Sequence, residues 1–245
     1  MNIWEGNFEN FDKAKKLKKG KGFSGNRYIK TQLDGLEYCQ EYFEKEKKIP
    51  NKNILRYQNF LAIIKKHFKN KVKILDFGGG YGIGYFYLKQ NINQRINYTV
   101  LEIPSLAKIL KKKKTKIKYI EKLNIKNKFD IINCCSVIQY VNNWKLLIDN
   151  LCNTKSKFIY FSDLFSGDIN SFATLQSSYE SKIPHWFLNL DEFIEELNIR
   201  GYKLISKKKM ITFRLNFKTI VPMRNFKRKF RIPYTLNLLF ERATN

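Results

Sequence analysis

The sequence KILDFGGGYGIG at residues 73–84 places five glycines within seven positions, directly after a short apolar run. The apolar run predicts a buried strand, and the residues behind the loop predict a helix. Glycine lets a backbone approach a ligand closely and adopt positive φ, because no Cβ blocks either. The stretch therefore predicts the ligand-binding turn of an α/β domain, and its spacing decides which ligand fits.

Two nucleotide-binding loops are excluded by this spacing. The phosphate loop of nucleoside triphosphatases needs Lys and then Ser or Thr after its last glycine, but Tyr85 and Phe86 stand there. The dinucleotide fingerprint G-x-G-x-x-G also fails, since its third glycine would fall on Ile83. Neither a triphosphate nor a dinucleotide is the predicted ligand.

The pattern that does fit is Asp76-x-Gly78-x-Gly80-x-Gly82, an acidic residue at the strand end followed by alternating glycines. It resembles the first motif of the class I S-adenosylmethionine (SAM)-dependent methyltransferases. The resemblance implies that Asp76 holds the amino group of SAM, directly or through water. It also implies that the loop glycines, with Gly79 among them, pack against the methionyl and ribose portions.

A second acidic residue, Glu102, ends the next predicted strand, where the family places the acid that binds the ribose. A carboxylate suits two hydroxyls because it accepts two charge-assisted hydrogen bonds. The resemblance adds Ile103 beside it and Glu121 near the adenine. It also adds Ser136 and Gln139, just past the fourth strand, on the side of the cofactor or acceptor. The alternative for Gln139 is that it only begins a helix.

The order of elements favours the same fold. Strands separated by helices imply βαβ crossovers and a mostly parallel sheet, and two adjacent late strands imply an antiparallel edge. We predict an α/β, Rossmann-like class I methyltransferase sheet with helices on both faces and an N-terminal helical extension. The predicted helices are 34–48, 52–70, 85–90, one opening at Pro104, 143–152 and one from 189 to 201; the predicted strands are 72–77, 97–102, 117–120, 129–136, 157–164, 203–210 and 211–220.

These elements divide the chain into three predicted regions. Residues 1–70 form an N-terminal helical lid, residues 71–220 form the SAM-binding core, and residues 221–245 form a basic tail. The largest irregular insert within the core is 165–188, and we expect it to lie over the acceptor site.

Further motifs resemble a narrower family, methyltransferase-like proteins of bacterial gene clusters for surface polysaccharides such as capsule or O-antigen. The motif W-x-G-x-F-x-x-F-x-x-A starts at Trp4, and DFGGGYG, VLEIP, CSVIQYV and YESKIPHWFLNLDEF follow in the family's order, as far as Met210. This resemblance implies a sugar, nucleotide-sugar or phosphorylated glycan precursor as the methyl acceptor.

The acceptor side has its own candidates. If the acceptor is a hydroxyl, a base must remove its proton, and we assign that role to His185 in the insert or Asp163 at the end of the fifth strand. The alternative for His185 is a plain loop residue. Arg27 suits an acceptor that carries phosphate. The substrate-binding candidates are Arg27, Tyr28, Tyr140, Tyr179 and Trp186. The N-terminal aromatic residues form a lid or, alternatively, only pack the N-terminal helices on the sheet.

The formal net charge of +26 points to anionic partners. An RNA or DNA methyltransferase is the alternative that this charge favours. However, lysine dominates and is scattered through the chain, the amino-methylating motif [DNS]-P-P-[YFW] is absent, and no Pro-Cys pair occurs. A non-catalytic SAM-fold binding module is a third reading. The basic tail, with its interspersed apolar residues, suggests weak association with an anionic membrane surface.

Cysteines and histidines favour no metal site. The four cysteines make no C-x-x-C pair, and only two histidines exist, so ligand spacing for zinc is missing. We interpret the cysteines as small buried apolar residues in a reducing compartment. No run approaches the length of a membrane span, and the first residues lack a signal core. We expect a cytoplasmic enzyme, with methylation of oxygen or nitrogen left open.

Overall fold

The computed structural model describes residues 2–46, 55–210, 213–214, 217–218 and 221–243. In chain order, the strands and helices of these residues are β1 (Trp4–Phe8), α1 (Phe11–Lys16), α2 (Asn26–Glu46), α3 (Leu55–His67), β2 (Lys71–Phe77), α4 (Ile83–Asn91), β3 (Arg95–Leu101), α5 (Pro104–Leu110), β4 (Lys118–Ile120), β5 (Ile131–Cys135), α6 (Trp144–Asn153), β6 (Phe158–Leu164), β7 (Ser166–Gly167), β8 (Phe172–Ser178), β9 (Ser181–Asn189), α7 (Leu190–Asn198), β10 (Tyr202–Met210), β11 (Phe213–Arg214), β12 (Phe217–Lys218) and β13 (Thr235–Arg242).

The main sheet has seven strands in the order β10-β13-β6-β5-β2-β3-β4. Parallel pairs join β4, β3, β2, β5 and β6, and β13 runs antiparallel between β6 and β10. The chain moves from β2 to one edge and then returns to β5, so the strand order reverses between these two strands. Open α/β sheets bind ligands beyond the carboxyl ends of the strands at such a reversal. The predicted fold class is confirmed, and the reversal marks the candidate site.

Helices cover both faces of this sheet. Consecutive residues of β5 point to opposite faces of the sheet, and Ile131 and Ile132 accordingly belong to two separate apolar cores. In one core, Phe60 of α3 stacks on Tyr160 of β6 with ring centroids 5.9 Å apart. The other core includes side chains of α6 and α7. Each fully buried side chain of this size contributes about 1.5–3 kcal/mol, so apolar faces hold the helices in place.

A second sheet, with strand order β1-β8-β9-β7, is built largely from the insert that the sequence predicts to be irregular. That prediction is wrong, because residues 165–188 form β7, β8 and most of β9. The strand β1 pairs with β8 and places the fully buried Trp4 against Phe165 and Phe187. These partners lie far apart in sequence, so no local pattern specifies the pairing. The N-terminal region, predicted to be helical, therefore begins with a strand.

The C-terminal segment also differs from its prediction as a tail. Its strand β13 lies inside the main sheet and pairs with β10 over the whole length of that strand, with Met210 opposite Thr235. Of the predicted strand 211–220, the structure describes β11 and β12, which pair with each other. Residues 211–212, 215–216 and 219–220 lie outside the described residues. The run TLNLLF of β13 is apolar and buried, but the basic residues before it obscure the pattern.

The segment before β13 exposes its cations and buries its apolar residues. Phe226 and Ile232 are buried, and the Phe226 ring lies 5.6 Å from that of Phe172. We propose that any contact of this segment with a membrane surface would be made by its exposed cations, because the apolar residues are buried in the protein. The exposed cations are Arg224, Lys227, Arg228, Lys229 and Arg231.

Two N-terminal helices have bounds that differ from the sequence prediction. The helix α2 begins at Asn26, well before residue 34. The helix α3 corresponds to the predicted helix 52–70, whose first residues, with 47–51, lie outside the described part. Within the described residues, the helices are too short or too polar to cross a membrane.

Candidate active site

The glycine loop leaves the carboxyl end of β2 with a backbone that side chains would disturb. Gly78, Gly80 and Gly82 have φ of 66°, 58° and 85°, a region that glycine enters without strain. A Cβ on Gly78 would lie 2.3 Å from Val137, and one on Gly80 would lie 2.3 Å from Gln32 Oε1. The loop therefore needs glycine both for conformation and for space.

Asp76 lies beneath this loop and is fully buried. The Tyr98 hydroxyl donates to its Oδ2 at 2.6 Å, and the Asn133 amide donates to its Oδ1 at 2.7 Å. A Cβ on Gly79 would lie 2.3 Å from Oδ2, so the loop sits directly on the carboxylate. Burial raises the pKa of Asp76 to about 6, although both hydrogen bonds oppose the shift.

Glu102 follows β3 and ties the loop to the neighbouring strand. Its Oε1 accepts the Gly80 N–H at 3.0 Å, and its Oε2 accepts the Ile103 N–H at 2.9 Å. The Tyr28 hydroxyl donates to Oε1 at 3.3 Å. Burial raises the pKa of Glu102, and these hydrogen bonds act against the rise. The carboxylate is thus fixed beside the loop with Tyr28 above it.

The helix α2 crosses the loop with one face. Gln32 Oε1 accepts the Tyr81 N–H at 3.2 Å, one helical turn after the Tyr28 contact. Gly35 comes next, and a Cβ there would lie 2.6 Å from the Tyr81 ring, so the missing side chain lets helix and loop meet. These contacts make α2 a cover over the loop.

The carboxyl end of β5 supplies the opposite wall. Ser136 follows β5 with φ of 51°, an uncommon value for a residue other than glycine. Its N–H donates to the Ser162 carbonyl at 2.8 Å, and the Gln139 amide donates to the Ser136 hydroxyl at 3.0 Å. Gln139 Oε1 is buried and has no hydrogen-bond partner within the described residues. Buried acceptors are nearly always satisfied, so this oxygen is available to a ligand.

Aromatic rings link this wall to the cover. The Phe23 ring lies 5.1 Å from Tyr28 and 4.8 Å from Tyr140, and the Tyr28 and Tyr179 rings are 5.1 Å apart. The Tyr140 hydroxyl donates to Gln176 of β8 at 2.6 Å. These edge-to-face contacts bring three of the predicted substrate residues, Tyr28, Tyr140 and Tyr179, into one group.

Solved structures with this arrangement give its fold family. The chain has the class I SAM-dependent methyltransferase fold. A Burkholderia thailandensis 1,6-didemethyltoxoflavin-N1-methyltransferase, solved with its methyl acceptor and S-adenosylhomocysteine (SAH), is 12% identical with a TM-score of 0.50, covering 89% of this chain and 88% of that one. The N-terminal domain of EvdMO1 with SAH bound is 14% identical with a TM-score of 0.50, covering 87% and 97%. A SAM-dependent methyltransferase from Clostridium acetobutylicum is 11% identical with a TM-score of 0.50, covering 85% and 98%.

At such identities these likenesses give the fold alone. No protein-family model and no curated protein matches the sequence. Two of these solved methyltransferase-fold proteins hold SAH. The narrower resemblance to surface-polysaccharide proteins finds no support in these matches.

The two predicted bases are both buried in this fold. His185 lies in β9, fully buried, with its ring 4.8 Å from Phe165 and 5.3 Å from Tyr140. Asp163 lies in β6, and its Oδ1 accepts the Thr235 hydroxyl at 2.7 Å. Asp163 has φ of 53°, and such strain recurs at functional sites. A base must reach its substrate, so both assignments need a rearrangement and stay predictions.

Three other predicted residues have partners outside the loop. Arg27 forms an ion pair with Glu180 at the β8–β9 turn. The Glu121 carboxylate accepts the Lys111 ammonium at 2.6 Å. The third, Trp186, donates its ring N–H to the carbonyl of residue 142 at 3.3 Å. Their roles toward cofactor and substrate also stay predictions.

Several residues of the site were missed from the sequence. Asn133 had a signal, because it is a polar residue inside the apolar run IINCC and lies opposite Asp76 in the parallel pairing. Gln32 and Tyr98 had no such signal, since their contacts depend on how α2 and β3 pack around the loop.

Proposed function

We propose that the chain is a SAM-dependent methyltransferase that acts on a small-molecule acceptor. The observation that carries the proposal is the Glu102 carboxylate, which the Gly80 N–H holds beside the glycine loop. This loop leaves β2, one of the two strands between which the strand order reverses. Its position, its charge and the Cβ-free loop next to it suit a ribose and a thioether chain. Tyr28 shows that a hydroxyl fits against this carboxylate.

The residues present fit SAM. The loop offers bare backbone, Glu102 offers a hydroxyl acceptor, and the Gln139 carbonyl oxygen awaits a donor. When bound, SAM supplies a methyl group on a positively charged sulfur. Glu102 would bind the ribose hydroxyls once Tyr28 releases or shares its oxygen, and Ile103 would lie beside the same group. Asp76 would hold the loop in shape and, through water, meet the amino group.

The remaining work of the chain is alignment and exclusion of water. A displacement needs acceptor, methyl and sulfur in line, and positioning of this kind supplies up to about 7–11 kcal/mol in the best cases. Ser136 and Gln139 follow β5 at its carboxyl end, and we expect them to face the methyl group. The aromatic group of Phe23, Tyr28, Tyr140 and Tyr179 would close over the reacting atoms and exclude bulk water.

For the acceptor we propose a sugar, nucleotide-sugar or phosphorylated precursor of a bacterial surface polysaccharide. The support is the resemblance of the ordered motifs between Trp4 and Met210 and the strong positive charge, which attracts anionic ligands. A structural neighbour is a 1,6-didemethyltoxoflavin-N1-methyltransferase solved with 1,6-didemethyltoxoflavin bound, which supports a small-molecule acceptor. Incubating precursor pools with enzyme and SAM should give a product heavier by one methylene group, and a product found only on RNA would contradict this proposal.

The SAM site is tested with a matched pair of variants. We expect Glu102→Gln to weaken SAH binding about tenfold to a hundredfold, because hydrogen bonds to a charged acceptor contribute about 1.5–3 kcal/mol. Calorimetry with SAH measures this. Glu241→Gln is the control, since it removes an equal charge from a residue that pairs with Lys157 and lies at the amino end of β6, away from the site.

Two results would contradict the assignment. Unchanged SAH affinity in Glu102→Gln would mean that the ribose lies elsewhere. Absence of heat with both SAM and SAH in the unmodified protein would favour the binding-module or scaffold reading. Thermal unfolding of both variants shows whether a loss of affinity is merely a loss of fold.

A further inference from the structure

A cavity of about 170 Å³ lies between α3 and the antiparallel part of the main sheet. On the side of the sheet it is lined by Tyr160 of β6, Leu239 of β13 and Ser206 of β10. On the side of the helix, Ile63 lines it. None of the described residues around this cavity belongs to the candidate active site, so the cavity has no role in the proposed function.

The sheet is irregular beside this cavity. The pairing of β10 with β13 shifts register between Leu204 and Ser206, and the residue between them, Ile205, lines the cavity. The pairing of β13 with β6 also shifts, between Leu236 and Leu238. Such bulges bend a strand and increase its twist, and they are common next to active sites. The two shifts give a physical reason why helix and sheet separate here instead of packing closely.

A buried hydroxyl without a partner lines the cavity. Tyr160 is only 2% exposed, and its ring stacks on that of Phe60. Its hydroxyl has no hydrogen-bond partner within the described residues. Burial raises the pKa of Tyr160, so the phenol stays neutral and can both donate and accept. Buried polar groups are nearly always satisfied, so a polar atom of a bound molecule is the expected partner of this hydroxyl.

Two cations line the same cavity, one from each side. Lys66 belongs to α3 and Lys208 to β10, and both are exposed to solvent. No described carboxylate lies within ion-pair distance of either ammonium group. Glu241, whose charge acts on the neighbouring His67, pairs with Lys157 instead. The positive field of Lys66 and Lys208 therefore favours an anionic group at the mouth of the cavity.

We propose that this cavity binds a small carboxylic acid with a flat, apolar body. The carboxylate would lie between Lys66 and Lys208, the body against Ile63 and Leu239, and a polar group at its far end would meet the Tyr160 hydroxyl. A cavity of about 150 Å³ in another protein holds benzene, so a molecule of the size of benzoate fits. The proposal is independent of SAM binding, because the two sites share no residue.

The apolar part of the lining distinguishes a carboxylic acid from a phosphate. Ile63 and Leu239 offer no donors, so the oxygens of a phosphate pushed past the lysines would lose their hydrogen bonds to water without replacement. A flat apolar body loses nothing there and gains contact with both side chains. We therefore expect inorganic phosphate to bind more weakly than the acid.

The probe is 4-hydroxybenzoate, which carries a carboxylate and a hydroxyl at opposite ends of a flat ring. Ligand-observed NMR titration measures its affinity for the parent protein and for each variant, and also the affinities of benzoate and inorganic phosphate. Tyr160→Phe removes only the hydroxyl, and Lys208→Gln removes one cation. Lys207→Gln is the matched control, because Lys207 is exposed and points to the opposite face of β10.

The variants give a specific pattern if the proposal is right. The parent should bind 4-hydroxybenzoate more tightly than benzoate. Tyr160→Phe should lower the affinity for 4-hydroxybenzoate about threefold to tenfold, because one neutral hydrogen bond is lost, and should leave benzoate unchanged. Lys208→Gln should weaken both acids, and Lys207→Gln should weaken neither. Thermal unfolding shows that each variant is folded, and Tyr160→Phe keeps the ring that packs on Phe60.

Four results would overturn the proposal. The parent may bind neither acid at millimolar concentration, or it may bind phosphate more tightly than both. Equal losses in Lys207→Gln and Lys208→Gln would mean that the acids are attracted only by the overall charge. Equal affinity of folded Tyr160→Phe and parent for 4-hydroxybenzoate would mean that the acid does not reach the buried hydroxyl.

Discussion

Asp76 illustrates how a single residue shapes the loop at a cost to stability. Two short hydrogen bonds, from Tyr98 and Asn133, favour its ionised form, while complete burial disfavours it. Burial is the larger effect, since the pKa rises from 3.8 to about 6. The charge is retained at neutral pH beneath the glycine loop, where Tyr98, Asn133 and the loop itself all depend on its oxygens.

This pKa predicts the direction of a pH effect. A carboxylate whose pKa is higher in the folded state than in the unfolded state adds stability below pH 4 and loses it as pH rises through about 6. Asp76→Asn cannot ionise, so its free energy of unfolding should improve relative to the parent between pH 4 and 7. The shift corresponds to about 3 kcal/mol. Urea unfolding at several pH values measures it.

The same comparison contains its own control. All other ionisable groups are common to both proteins, so the difference between their pH profiles isolates residue 76. A difference that stays constant across this range would mean that Asp76 is not ionised with a raised pKa. A difference that changes in the opposite direction would mean that the hydrogen bonds outweigh burial.

Among single residues, the sequence could predict those whose role is indicated by local spacing. The order of Asp76, the glycines and Glu102 places the two acids beside the loop, and the structure puts them there. It could not predict that Gln32 would accept the Tyr81 N–H, because that contact depends on how α2 lies across the loop. His185 looks like an accessible base in the sequence and proves to be enclosed by aromatic rings, since its strand pairing is non-local.

Among the elements, the β8–β9 turn has a strained backbone whose two residues contact α2. Tyr179 and Glu180 both have positive φ, as in the type I′ turn that suits a hairpin with a two-residue loop. Asn and Gly are the usual residues there, so Tyr and Glu are costly choices. In return, Tyr179 packs on Tyr28 and Glu180 pairs with Arg27, which joins the hairpin to α2 over Glu102.

Relief of this strain should be measurable. We expect Glu180→Gly to raise the free energy of unfolding by about 0.5–1 kcal/mol, because a left-handed residue other than glycine costs about 1–3 kcal/mol and an exposed ion pair contributes at most about 1 kcal/mol. Glu180→Ala, which loses the ion pair but keeps the strain, should be no more stable than the parent. Denaturant unfolding ranks the three proteins, and Glu180→Gly no more stable than Glu180→Ala would refute the strain.

Element bounds in the parallel part of the main sheet follow the sequence closely, whereas the second sheet was missed. The buried runs before Gly78 and at FDIINCCS lie in β2 and β5, because short-range periodicity specifies a strand between helices. The strand β1 pairs with β8 of the β8–β9 hairpin, although most of the chain separates the two in sequence. Their residues carry no pattern that distinguishes a strand from a loop.

At the scale of the whole molecule, the chain is closed by β13. This strand lies between β6 and β10 and pairs with both, and its residues Leu238 and Phe240 are fully buried. Removing it would expose a face of the core and two strand edges at once. The region that composition marks as a tail is thus part of the fold.

Deleting residues 221–245 should therefore abolish folding rather than trim a binding segment. We expect the truncated protein to be insoluble or to lack a cooperative thermal transition, whereas the parent shows one. Circular dichroism and thermal unfolding measure this. A control that replaces the exposed Lys227 and Lys229 with Gln should fold normally, and a truncated protein that folds and binds SAH would contradict the placement of β13.

The position of β13 also has a consequence for synthesis. Its two neighbours, β6 and β10, are synthesised before it. Each of them keeps an unpaired edge until β13 has been synthesised. During that interval the nascent chain presents two open templates for strand addition beside an apolar core. The strand β10 contains three consecutive lysines, Lys207–Lys209. Their positive charge repels the same strand of other nascent chains until β13 has paired with it.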